Sequence, residues 1–142
     1  MTNGSRKIIC FITMVTLALD AGAASLDGTK WRVKVGPNKE AAAKGEREFD
    51  DELVFAEGKL TSTACAPYGY KASSYTIKNV PGAIKWTCEM VGAKEGMGKT
   101  TWAGRVKDNA IDGNMTWHKA DGTVLHYTFS GSKVVPEDSR AK

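Results

Sequence analysis

The chain has 142 residues, the length of one ordinary domain, and 42% of them are hydrophobic, which excludes a disordered polar chain. Twenty basic residues exceed sixteen acidic ones by a net +4, a surplus too small and too evenly spread to predict a nucleic-acid partner. Four Trp, four Tyr and four Phe beside 15 Gly describe large side chains among many bends, and exclude a collagen, a coiled coil or a multi-span membrane protein.

The N-terminal segment has the pattern of an export signal. Arg6 and Lys7 form a positive start, Ile8 to Leu19 is an uncharged apolar run, and Ala21-Gly22-Ala23 is a small-residue cleavage site. The run is too short to span a bilayer comfortably. We therefore expect a signal peptide at residues 1–23 and a secreted or periplasmic mature protein without a membrane anchor. Cys10 leaves with the signal. Cys65 and Cys88 remain, an even number in an oxidising compartment, which predicts one disulfide, with two free buried thiols as the alternative. Such a bridge would contribute about 3 kcal/mol.

From residue 28 onward the period is two, the signature of strands. In Gly28–Gly36, Trp31, Val33 and Val35 alternate with Lys30, Arg32 and Lys34. Pro37 to Glu48 breaks the period: Asn38 as an N-cap, a Glu40/Lys44 pair and Gly45 as a stop predict a short helix. A second strand at Phe49–Ala56 turns at Glu57-Gly58, pairing Phe55 with Leu60 and Leu53 with Ser62. A fourth strand is expected near Tyr70–Asn79, and a fifth near Ala83–Val91 with Ile84, Trp86, Cys88 and Met90 on one face.

The last three strands have the firmest register. A two-residue loop at Asp108-Asn109 sets Gly104 opposite Gly113 and Trp102 opposite Met115. A three-residue loop, Ala120-Asp121-Gly122, sets Trp117 opposite Leu125, Met115 opposite Tyr127 and Gly113 opposite Phe129. Either hairpin loses its apolar matching on a one-residue slip. Eight short strands, each with one apolar face, need closure. The reading is all-β: an eight-stranded antiparallel up-and-down (meander) barrel over residues 24–132, one short helix after strand 1, and a polar tail at 133–142.

Gly28-x-x-Trp31 at the start of strand 1, the long connection after it and the meander that follows resemble lipocalins, in the wider calycin sense. A weaker resemblance is to avidins. Thr100-Thr101-Trp102-x-Gly104 and Met115-Thr116-Trp117 are similar to their sixth and seventh strands, where the polar residue and the Trp surround the ligand. The first strand lacks the Asn and Ser, and the last strand the Trp and Asp, that biotin binding would need. Both resemblances imply a small secreted barrel, and a barrel of this size holds either a packed core or one small ligand.

Candidate chemistry is sparse. Gly92 to Thr100 imitates a phosphate-binding loop, but its first glycine is one residue too far away and a strand follows instead of a helix. His118 and His126 lie diagonally on the outer face with no third ligand at suitable spacing. Glu46, Glu48, Asp50, Asp51 and Glu52 match no calcium loop and read as a solvated approach to strand 2. No acid, base, nucleophile or metal set converges, so a non-catalytic protein without a cofactor is expected. The inward aromatic set carries the functional expectation: a ligand site made by Trp86, Trp102, Met115, Trp117, Tyr127 and Thr100, taking a small apolar or amphipathic molecule. The alternative is a packed barrel serving as an interaction module, for instance an inhibitor of a secreted hydrolase, with Ala93–Gly98 or Pro37–Glu48 as the contact loop. Gly104 opposite Gly113 either makes room for a ligand or receives a neighbouring Trp.

Overall fold

The computed structural model describes residues 25–136; the expected signal peptide falls outside the described residues. Eight antiparallel strands, β1 Thr29–Pro37, β2 Phe49–Ala56, β3 Lys59–Ser62, β4 Ser73–Val80, β5 Ala83–Val91, β6 Lys99–Lys107, β7 Ala110–His118 and β8 Val124–Lys133, form one closed barrel. Each strand pairs with its sequence neighbours, and β1 closes on β8. This is the expected up-and-down meander.

Turn chemistry sets the register. Glu57 and Gly58 both lie at positive φ, 53° and 73°, the conformation whose twist matches a two-residue hairpin, and Phe55↔Leu60 and Leu53↔Ser62 follow. Trp102 pairs with Met115, Gly104 with Gly113, Trp117 with Leu125 and Met115 with Tyr127, as the loop lengths require. The helix α1, Lys39–Ala43, is capped by Asn38, whose side chain accepts from the Ala41 N–H at 2.8 Å, and Lys44 lies 3.7 Å from Glu40. Ala41 is buried, and α1 packs against β8 and β1.

The cationic stripe of β1 faces acids across the β1–β2 ladder: Lys30 meets Glu52 at 3.5 Å, and Lys34 meets Glu48 at 3.6 Å and Asp50 at 3.9 Å. These pairs lie at or near the surface, where each contributes little stability.

Three findings depart from the sequence reading. Strand β4 starts at Ser73, later than expected, because Tyr70 leaves the ladder and makes an isolated bridge to Gly92. The seam between β3 and β4 is correspondingly short, with register pairs only at Lys59↔Ser74 and Leu60↔Ser73. The polar tail starts later than residue 133, since Lys133 ends β8 and the Val134 N–H donates to the Lys30 carbonyl at 2.8 Å.

The third departure is a correction: Cys65 and Cys88 are not bonded, and both are free thiols. Each is engaged separately. Cys88 points into the barrel from β5 and its thiol donates to the Ser73 carbonyl at 3.5 Å. Cys65 has left the strand period and precedes a 3-10 turn, Ala66–Tyr68, where its N–H donates to Ser62 Oγ at 3.2 Å.

The interior has a solid floor. Phe55 stands edge-on to Trp86 with ring centroids 5.2 Å apart, Trp86 lies 5.8 Å from Phe129, and Phe129 lies 5.4 Å from Trp102. Trp31, in the same buried core, donates its indole N–H to Thr29 Oγ1 at 2.9 Å. The segment before β1 closes this end: Leu26 is buried, and the Asp27 carboxylate accepts from the Gly58 N–H at 3.0 Å and the Tyr75 hydroxyl at 2.6 Å. Those two hydrogen bonds, Tyr75 foremost, hold Asp27 below the usual carboxylate range.

Candidate functional site

The opposite end of the barrel is built differently. There the connections are long, and they surround a cleft of about 370 Å³. From the strands come Phe49 and Asp50 of β2, Thr100 of β6, Met115 and Trp117 of β7 and Tyr127 of β8. The β1–β2 connection adds Glu46, the β3–β4 connection adds Ala64, Cys65, Tyr68 and Tyr70, and the β5–β6 loop adds Met97.

Local bonding ties these loops into one wall. The Met97 carbonyl accepts two side chains, the Trp117 indole N–H at 2.7 Å and the Tyr70 hydroxyl. Gly92 permits this close approach, since a Cβ there would stand 2.9 Å from Met97 Cβ. The Tyr127 hydroxyl donates to Glu46 Oε2 at 2.7 Å, and its ring meets Phe49 edge-on at 6.2 Å. Burial, with Glu46 as the second cause, pushes the Tyr127 hydroxyl well above its ordinary value, so it remains a donor. Burial likewise raises Tyr70 and Cys65. Cys65 is therefore a neutral thiol, not a prepared nucleophile. Lys119 places its ammonium 4.6 Å from the centroid of the Trp117 ring.

Asp51 holds the β3–β4 side of the cleft. It faces inward with Leu53 and Phe55, is only 5% exposed, and accepts from the Ser62 hydroxyl, the Ala64 N–H at 2.8 Å and the Glu52 N–H at 2.7 Å. The Thr63 N–H meanwhile pairs with the Glu52 carbonyl. One carboxylate thus fastens the chain just where β3 ends and before it reaches Cys65. Burial raises the Asp51 pKa even against these donors. The expected solvated acid run is corrected at this position.

The six expected ligand residues divide between the cleft and the floor. Met115, Trp117, Tyr127 and Thr100 border the cleft together. Trp86 and Trp102 do not; both are buried in the floor. Thr100 spans the two, since its Oγ1 accepts the Trp102 indole N–H at 3.1 Å. Glu46, Phe49, Asp50, Ala64, Cys65, Tyr68, Tyr70 and Met97 complete the cleft and were not expected at the ligand site, because they reach it from loops or from the entrance of β2. Among the described residues no group of three or more His, Cys, Asp or Glu is arranged to hold a metal ion. His126 lies outside, with Nδ1 3.3 Å from Thr116 Oγ1.

Fold and cleft together define an eight-stranded antiparallel closed barrel of the general calycin-like kind, open at one end. No protein family matches this chain, and neither a curated protein nor a solved structure matches it. The likeness to lipocalins and avidins is therefore one of architecture.

Proposed function

We propose that the protein is exported and acts as a non-catalytic binder of a small amphipathic molecule in the cleft at the barrel mouth. One observation carries this reading: a mostly apolar cleft of about 370 Å³, walled by aromatic rings and two methionines, with a few polar side chains among them. Concave, mostly apolar sites with a few placed polar groups are the usual form of small-molecule sites. Export is supported by the N-terminal pattern of Arg6, Lys7, the apolar run and Ala21-Gly22-Ala23.

The cleft favours this reading over an inhibitor loop. The two connections that would serve as contact loops are recruited into the wall instead, Met97 through its carbonyl and Glu46 through its carboxylate. The test is titration with N-phenyl-1-naphthylamine, a neutral probe that brightens in apolar surroundings. The protein should brighten it saturably, and Ala64→Trp, which fills the cleft, should abolish the effect while circular dichroism stays unchanged. No saturable brightening, or brightening untouched by Ala64→Trp, refutes the reading.

A further inference from the structure

The five acids between residues 46 and 52 have unequal fates. Glu48 and Asp50 share Lys34, and Glu52 meets Lys30. Asp51 is surrounded by hydrogen-bond donors. Glu46 alone is left: it is half-buried at the cleft and joins no ion pair among the described residues. Tyr127 fixes one of its oxygens, Oε2, and Oε1 accepts no hydrogen bond from the described residues. Among the described residues that line the cleft there is no Lys, Arg or His. The charged side chains that line the cleft, Glu46 and Asp50, are therefore both acidic.

The walls suit the same sign of charge. Aromatic faces attract cations through their quadrupole. Trp117 already shows this, holding the Lys119 ammonium over its ring while the same indole borders the cleft.

We infer that the cleft selects an organic cation: an apolar body carrying an amine or quaternary ammonium group, with its charge at Glu46. This rests on the proposed small-molecule reading and adds the ligand's chemical class. Tyr127 acts as a positioning residue, since it orients the Glu46 carboxylate without carrying charge itself. An anionic amphiphile meets an uncompensated carboxylate at the same place and is rejected.

The experiment compares three ligands of one chain length, octyltrimethylammonium, 1-octanol and octanoate, by calorimetric titration of the full chain. The cation should bind about tenfold or more tightly than the alcohol, and octanoate weakest. Added salt should weaken the cation and spare the alcohol. Glu46→Gln keeps an acceptor for the Tyr127 hydroxyl but removes the charge, and should bring the cation-to-alcohol affinity ratio close to one. Tyr127→Phe should lower the ratio only in part, and serves if Glu46→Gln does not fold. Equal affinity for cation and alcohol, or a preference that survives the loss of the Glu46 charge, overturns the inference while the small-molecule reading stands. Binding of none of the three overturns both.

Discussion

The indole of Trp86 occupies the place that a side chain on its cross-strand partner Gly104 would take: a Cβ on Gly104 would stand 2.6 Å from Trp86 Cζ2. Gly113, opposite Gly104, is closed as well, by Phe129 Cζ at 2.8 Å and by the Ala103 carbonyl at 2.2 Å from its own would-be Cβ. The glycine pair is a seat for the floor aromatics. It is not ligand space.

Gly104→Ala therefore overpacks the floor and should cost about 1–3 kcal/mol of stability, read as a shift in the urea midpoint at unchanged slope. A hollow barrel would leave that midpoint where it was. Binding at the mouth should persist in the folded fraction, because Gly104 does not border the cleft.

This division into floor and mouth shows what the sequence made legible. Period two and turn length carried the barrel, since each of the three hairpins read from the sequence leaves one register that keeps Trp, Met and Leu off the solvent face. Parity also says which side chains point inward, but not at what height. Trp86 and Trp117 are both inward by parity, yet one is in the floor and the other at the mouth. Height follows from strand stagger around the closed barrel, which no local pattern records. Tyr70 and Met97 were hidden because loops bring them in. Asp51 was read with its neighbours as solvated, although it shares parity with Leu53 and Phe55, and an acid on an apolar face signals a buried carboxylate with partners.

Asp51→Ala tests that partnership. It strands the Ser62 hydroxyl and the Ala64 and Glu52 N–H groups, and should cost about 2–4 kcal/mol. Asp51→Asn retains an acceptor and should cost less. Native-state hydrogen exchange should show the loss first at residues 62–65, before global opening. Uniform loss of protection would mean that Asp51 supports the whole barrel and not this segment.

The free thiols give a third expectation. Alkylation of the unfolded protein without reductant, followed by peptide mapping, should modify both Cys65 and Cys88. Recovery of a Cys65–Cys88 linked peptide would contradict the structure. In the folded protein Cys88 should resist alkylation near neutral pH, because burial raises its thiol to about 11.

The same group sets a pH dependence. The folded pKa of Cys88 lies above the ordinary 9.0, so the fold retains a proton that the unfolded chain releases. Its contribution to stability is complete below pH 9.0 and is lost as pH rises toward about 11. Cys88→Val should remove this component, so the stability difference between the two proteins changes across that window. A difference constant from pH 8 to 11 would refute the assignment.

The most direct test of a filled floor beneath a binding mouth uses the four indole N–H resonances in a nitrogen-correlated NMR spectrum. Their partners differ: Thr29 for Trp31, Thr100 for Trp102, the Met97 carbonyl for Trp117, and none for the buried Trp86. On titration with octyltrimethylammonium, the Trp117 resonance should shift progressively. Trp102 should follow weakly through Thr100, and Trp31 and Trp86 should stay fixed. A shift led by Trp86 or Trp31, with Trp117 unmoved, would place the ligand inside the barrel and contradict the account.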